Sequence, residues 1–132
     1  MDHAARADCR RKEQGEITMD AGTFFILFIM LLVAFLMLII GIFQMQSKKP
    51  VGFYAGEKGP DEKELTDVQA WNIKHGIMWV LYGITIVITS LIGVSMIDSV
   101  WCTFPLIGGV TLPLPFMIWF HHRLIARYRI KS

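Results

Sequence analysis

Residues 23–43 read TFFILFIMLLVAFLMLIIGIF, and nineteen of these twenty-one are Ala, Val, Ile, Leu, Met or Phe. Only Thr23 and Gly41 stand outside that set, and no charged side chain interrupts it. A helix of this length extends ~31 Å at 1.5 Å per residue, which matches a bilayer hydrocarbon core of ~30 Å. A helix on the surface of a water-soluble domain keeps a polar face. This run has none. Each Leu, Ile, Val or Phe near the centre adds roughly −0.3 to −0.6 kcal/mol to insertion. The stretch therefore predicts a transmembrane helix.

Two more blocks, Gly76–Ile97 and Val100–Phe120, are likewise free of Lys, Arg, Asp, Glu and His. The 54% apolar content of the 132-residue chain is thus concentrated in three stretches, with the charges almost wholly outside them. One domain is expected at this length. The expected fold class is all-α integral membrane. It has three transmembrane helices, the second and third forming a tight hairpin and the third kinked by proline. The expected organisation is a polar tail over 1–22, a membrane domain over 23–120 with a connecting loop at 44–75, and a basic tail over 121–132.

The three spans differ. The first is purely apolar. The second carries Gly76, Gly83, Thr85, Thr89, Ser90, Gly93 and Ser95. Thr85, Thr89 and Gly93 recur every four residues, and Gly76, Gly83 and Ser90 every seven, so small residues form two stripes. Small side chains let helix backbones approach in lipid, where dispersion and interhelical hydrogen bonds drive association. Gly83, Thr85, Thr89, Ser90 and Gly93 are therefore the expected helix-packing face, and the second span the central helix. The third holds Pro105, Gly108, Gly109, Pro113 and Pro115. Pro105 suits a first turn, where its missing N–H costs little, and the two later prolines predict a bend. Asp98-Ser99 is expected as the hairpin turn, with Asp98 as a cap.

Lys and Arg number four before the first span, five in the first connection, none in the second and four after the third. Three crossings put the first connection and the C-terminus together, nine cations against four. Cations favour the cytoplasm, so the expected topology has the N-terminus outside and the 44–75 segment and C-terminus inside. At the start of the chain two readings stand side by side. One is a polar tail of 1–22. The other is translation from Met19, for which the codons of Gly15 and Glu16 would supply a purine-rich ribosome-binding element. The first block is too long for a signal-peptide core and lacks a small-residue cleavage site after it, so a retained span is expected.

The distinctive polar sequence lies in the first connection. Lys48-Lys49-Pro50 closes the first helix, and Gly52-Phe53-Tyr54-Ala55-Gly56-Glu57-Lys58-Gly59-Pro60 is rich in turn formers. Thr66-Asp67-Val68-Gln69 fits a capping box with Thr66 as the cap, opening a helix that runs through Trp71, Asn72 and His75 into the second span. Gly52, Phe53, Tyr54, Trp71, Asn72 and His75 are the candidate interfacial and loop residues. Arg123, Arg127, Arg129 and Lys131, in a tail without acids, are the candidate contacts to anionic lipid headgroups.

Several activities find no support. His75, His121 and His122 are expected at an interface wetted by headgroups, since adjacent histidines on a helix point ~100° apart and do not chelate together. No cofactor or metal is expected. G-x-x-x-x-G-K-[ST] and H-E-x-x-H are missing, and no Ser/His/Asp set can be assembled. Cys9 and Cys102 form no metal-spaced pair, and Cys102 is read as buried packing. The spans hold no acid for proton-coupled export. No basic stripe interleaves with aromatics, so no nucleic-acid partner is expected. The expected partners are the bilayer and another membrane protein or a second copy of this chain.

A short apolar first span, a basic exit, the Gly52-Phe53-Tyr54 turn and a capped acidic helix carrying Trp71-Asn72 ahead of a glycine-rich span together resemble small bacterial membrane proteins of the SdpI-like kind. The likeness is greater to their three-span relatives in Firmicutes. The resemblance covers roughly residues 20–128. It implies a protein of the bacterial cytoplasmic membrane linked to toxin immunity or envelope sensing. The patterned face of the second span and the lack of a catalytic set point, on the residues alone, to a non-enzymatic, partner-binding protein of the immunity-like, sensory or accessory kind. An oligomeric transport component is the alternative, motivated by the kinked third span and the Thr/Ser/Gly face.

Overall fold

The computed structural model describes residues 20–54 and 56–130. The tail at 1–19, the Met19 start, Cys9 and Lys131 lie outside the described residues. Four α-helices follow in order: α1 (Ala21–Gln46), α2 (Val68–Ser95), α3 (Thr103–Thr111) and α4 (Pro113–Tyr128), with 3-10 turns at Glu62–Glu64 and Val100–Cys102. No strand is present among the described residues, and α3 and α4 together make one bent helix. All three long helices, with α3–α4 counted as one, are long and apolar enough to cross a membrane.

Helix α2 is the one on which the others pack. Its seam with α1 is built on the seven-residue stripe. Gly76 faces Gly41, and Gly83 faces Ala34. The spacing is seven on both helices, so the antiparallel pair keeps register for two turns. A methyl on Gly41 would stand 2.7 Å from the Gly76 carbonyl oxygen, and one on Gly76 would meet the Gly41 carbonyl in turn. Backbone faces backbone there, which only glycine permits.

The four-residue stripe serves a different neighbour. Thr89 packs on Gly109 and Gly93 on Leu106, both in α3. The expected single packing face therefore divides between two partners. Its hydroxyls also turn inward on their own helix: Thr85 donates to the Leu81 carbonyl at 2.9 Å and Thr89 to that of Thr85 at 2.8 Å. Ser90 is buried, while Thr85 is only half-buried.

The third span bends where expected. Pro105 lies in the first turn of α3, and Pro113 opens α4. Proline at 113 has no N–H for the carbonyl four residues back. Beside that break, the Tyr82 hydroxyl donates to the Val110 carbonyl at 3.0 Å and ties the bend to α2.

Two expectations need correction. The cap of α2 is Asp67, which accepts from the Ala70 N–H at 2.9 Å, because the Thr66 side chain is taken up elsewhere: its hydroxyl donates to the Tyr128 carbonyl at 3.3 Å. In the hairpin turn the capping side chain is Ser99, which accepts from the Trp101 N–H, and Asp98 is exposed. The third helix runs on past the apolar block, which ends at Phe120, to Tyr128. Met117 and Leu124, one on each side of that block's end, are both buried. Beyond Tyr128, Arg129 bridges Leu65 in antiparallel fashion, and the Ile130 N–H donates to the Glu64 carbonyl at 2.8 Å. The described part of the tail is thus a structural member of the loop end.

Candidate functional site at the loop end

The site is assembled from α1's exit, the loop after it, the first two turns of α2 and the last two of α4. Ser47 caps α1 and closes a turn, with the Lys49 N–H donating to its hydroxyl oxygen at 3.3 Å. Pro50 then forbids further helix and directs the chain back across α2. Asn72 holds it there. Its Oδ1 accepts from the Val51 N–H at 3.0 Å, and its Nδ2 donates to the carbonyls of Ser47 at 2.8 Å and Lys49 at 2.9 Å. Trp71 Nε1 donates to the Val51 carbonyl at 2.9 Å. Neither side chain keeps appreciable contact with solvent. Four bonds from two adjacent residues thus satisfy a loop backbone that would otherwise be buried without partners.

His75 lies one turn on, fully buried. Its Nδ1 is 3.1 Å from the Trp71 carbonyl and its Nε2 2.9 Å from Nδ1 of His121 on α4. A carbonyl only accepts, so His75 Nδ1 carries a proton. An enclosed ring with no carboxylate against it is held neutral, so its Nε2 accepts and His121 Nδ1 donates. That leaves Nε2 of His121 without a partner among the described residues. The His121 ring lies against Phe53, tilted by 35° with centroids 4.6 Å apart, and is edged by Trp71 at 6.0 Å. The expectation of headgroup-wetted histidines fails for His75, because the loop folds over it. His122, by contrast, is exposed.

Beneath this lid a half-open cavity of about 200 Å³ is lined by Phe53, Trp71 and His121 at its base and by Glu57, Glu64 and Arg129 at its rim. The Glu57 carboxylate accepts from the Phe53 N–H at 2.8 Å, shaping the turn in which Gly56 takes a positive φ of 95°. Gly52 also lines the cavity, and a side chain there would run into the Glu57 backbone. Arg129 and Glu64 form an exposed ion pair at 3.3 Å. Leu65 and Trp71 line the cavity as well and pack with Leu124 in a buried apolar cluster.

The predicted residues Gly52, Phe53, Trp71, Asn72 and His75 therefore come together. Tyr54 does not: it points outward, 60% exposed. Of the predicted headgroup residues, Arg129 pairs with Glu64. Arg123 lies over the Trp119 ring at 5.3 Å and Arg127 over that of Tyr128 at 5.9 Å. Sequence reasoning missed the union of His121 with His75 and the parts of Val51, Glu57, Leu65 and Leu124. A signal existed for His121 and Leu124, since Met117, His121, Leu124 and Tyr128 keep one helical face through the supposed tail. Among the described residues no cluster of three His, Cys, Asp or Glu side chains can hold a metal ion. Compared with known protein families, curated proteins and solved structures, the chain gives no match.

Proposed function

We propose that this chain is a multi-pass protein of the bacterial cytoplasmic membrane, with its N-terminus outside and the 44–75 segment and C-terminus inside. We propose further that it acts without catalysis as a partner-binding subunit of the immunity-like, sensory or accessory kind, akin to the SdpI-like proteins it resembles. The recognition surface is the loop-end cavity. The observation that carries this reading is the investment of buried polar groups there. Asn72, Trp71 and the His75–His121 pair fix a loop around a cavity whose rim offers both signs of charge.

Size decides the kind of partner. About 200 Å³ is below the ~300–1,000 Å³ of ordinary small-molecule sites, so the cavity suits one anchoring side chain of a protein segment. Against catalysis, the Glu57 carboxylate is engaged by the Phe53 N–H, and no Ser or Cys lines the cavity. The transport alternative gains little. The Thr85 and Thr89 hydroxyls bond to their own helix, which leaves no polar stripe for a path.

Benzoylphenylalanine placed at Lys58 in intact cells tests the reading. A discrete photo-adduct is expected, absent when the probe sits at Trp101 and lost when Ile125→Trp fills the cavity. Adducts equal at both positions and indifferent to Ile125→Trp would contradict it.

A further inference from the structure

A second concavity lies on a different face. Between α2 and α4, below the bend, a groove of about 270 Å³ is lined by Met78, Leu81, Thr85, Pro113, Phe116 and Phe120, with further apolar neighbours. It extends along ~12 Å of α2 at 1.5 Å per residue. It lies beside the bend: Tyr82, which bonds α3 at Val110, and Pro113, which opens α4, both line it. The loop lid does not reach it: no residue of 47–66 lines it.

The register of both helices carries the groove into cations. On α2, Met78 and Leu81 share a face with Lys74, one turn closer to the loop end and exposed. On α4, Phe116 and Phe120 share one with Arg123 and Arg127, both exposed. The two arginines are braced over Trp119 and Tyr128. The nearest acid on the α2 stripe is Asp67, two turns beyond Lys74, and its carboxylate caps Ala70. An apolar slot thus ends at three cations, at the level where a membrane-spanning chain meets headgroups.

We propose that this groove is a binding site for one anionic phospholipid, its acyl chain lying along Leu81 and Phe116 and its headgroup phosphate held by Lys74, Arg123 and Arg127. The inference rests on the membrane-spanning reading but not on the partner-binding role of the cavity. Charge complementarity selects the occupant. A second copy of this chain would bring the same cations to the groove mouth, and a zwitterionic lipid would leave them uncompensated.

The intact chain in mild detergent is titrated with phosphatidylglycerol and, separately, phosphatidylcholine, and bound lipid is read by native mass spectrometry. One phosphatidylglycerol per chain is expected to bind at least tenfold tighter than phosphatidylcholine. Lys74→Gln should weaken it about fivefold, the worth of one cation near the surface. Thr85→Phe, which fills the slot, should remove the preference while helicity is unchanged. Equal affinity for the two lipids would overturn the proposal. So would a preference that survives Thr85→Phe, or a dimer that Thr85→Phe abolishes with no lipid preference. A chain stripped from native membranes by carbonate would fail at the earlier step, the spanning reading itself.

Discussion

The two ends of this helical bundle are built to different standards. At the loop end, Trp71 and Asn72 are buried and hydrogen-bond the loop backbone, His75 is buried and paired with His121, and the end of α4 is bridged to residues 64–66. At the hairpin end, four residues and a 3-10 turn join α2 to α3, and Val100, Trp101 and Phe104 stand outward, Val100 at 83% exposure. A turn needs only to reverse the chain. Buried amides and imidazoles are costly to desolvate unless every partner is in place, so a protein that concentrates them at one end has fixed a shape there. That contrast is why we propose the loop end as the functional one, and it can be attacked by substitution.

The largest effect is expected at the α1–α2 seam beside the site. Gly76→Leu drives a side chain into the Gly41 backbone and should cost about 3 kcal/mol or more. Unfolding in mixed detergent, followed by circular dichroism, would read it. Gly93→Ala, near the hairpin end, meets the Leu106 side chain, its Cγ at 2.5 Å, rather than backbone. It should cost less, the ~1 kcal/mol helix gain of alanine offsetting part of the shift that Leu106 must make. Comparable losses for the two would erase the distinction between the ends.

Next comes Asn72→Ala, which strands one N–H and two carbonyls of the loop. A loss of about 1–3 kcal/mol is expected, together with faster tryptic cleavage at Lys48 or Lys58. Ser99→Ala removes the cap of the opposite turn and should cost no more than ~1 kcal/mol, without opening the loop.

The histidine pair sharpens the picture further. His121→Phe keeps a ring against Phe53 but leaves His75 Nε2 buried and unpaired. A double-mutant cycle with His75→Phe should return a coupling of about 1 kcal/mol or more. Coupling near zero would mean the 2.9 Å contact contributes nothing. Smallest of all is the Glu64–Arg129 pair. Both side chains are half exposed, so either alanine variant should change stability by less than about 0.5 kcal/mol.

How much of this the sequence disclosed follows from the range of the physics involved. Span length and purity are local quantities, so three crossing-length helices were legible from three runs of apolar residues. The bend was legible too, since Pro113 lacks an N–H whatever surrounds it. The capping box was misplaced by one residue because Thr66 and Asp67 both make good caps, and the choice between them is made by Tyr128, sixty-two residues away. The apolar block ends at Phe120 and charge begins just after His121, so composition alone does not show how far the helix runs. The apolar face nevertheless continues through Leu124, and a lone period of that kind is weaker than a change of composition. The His75–His121 bond spans forty-six residues. No pattern within either helix encodes it; only the antiparallel return of α4 beside α2 brings the rings together.

The topology is the claim on which the rest depends, and site-directed labelling measures it most directly. In a chain with Cys9→Ser and Cys102→Ser, single changes Lys58→Cys, Asp98→Cys and Ile130→Cys are treated with an impermeant maleimide in intact spheroplasts. The account predicts that Asp98→Cys reacts at once, while Lys58→Cys and Ile130→Cys react only after lysis. Reaction of Lys58→Cys and Asp98→Cys from the same side of the sealed membrane would contradict it.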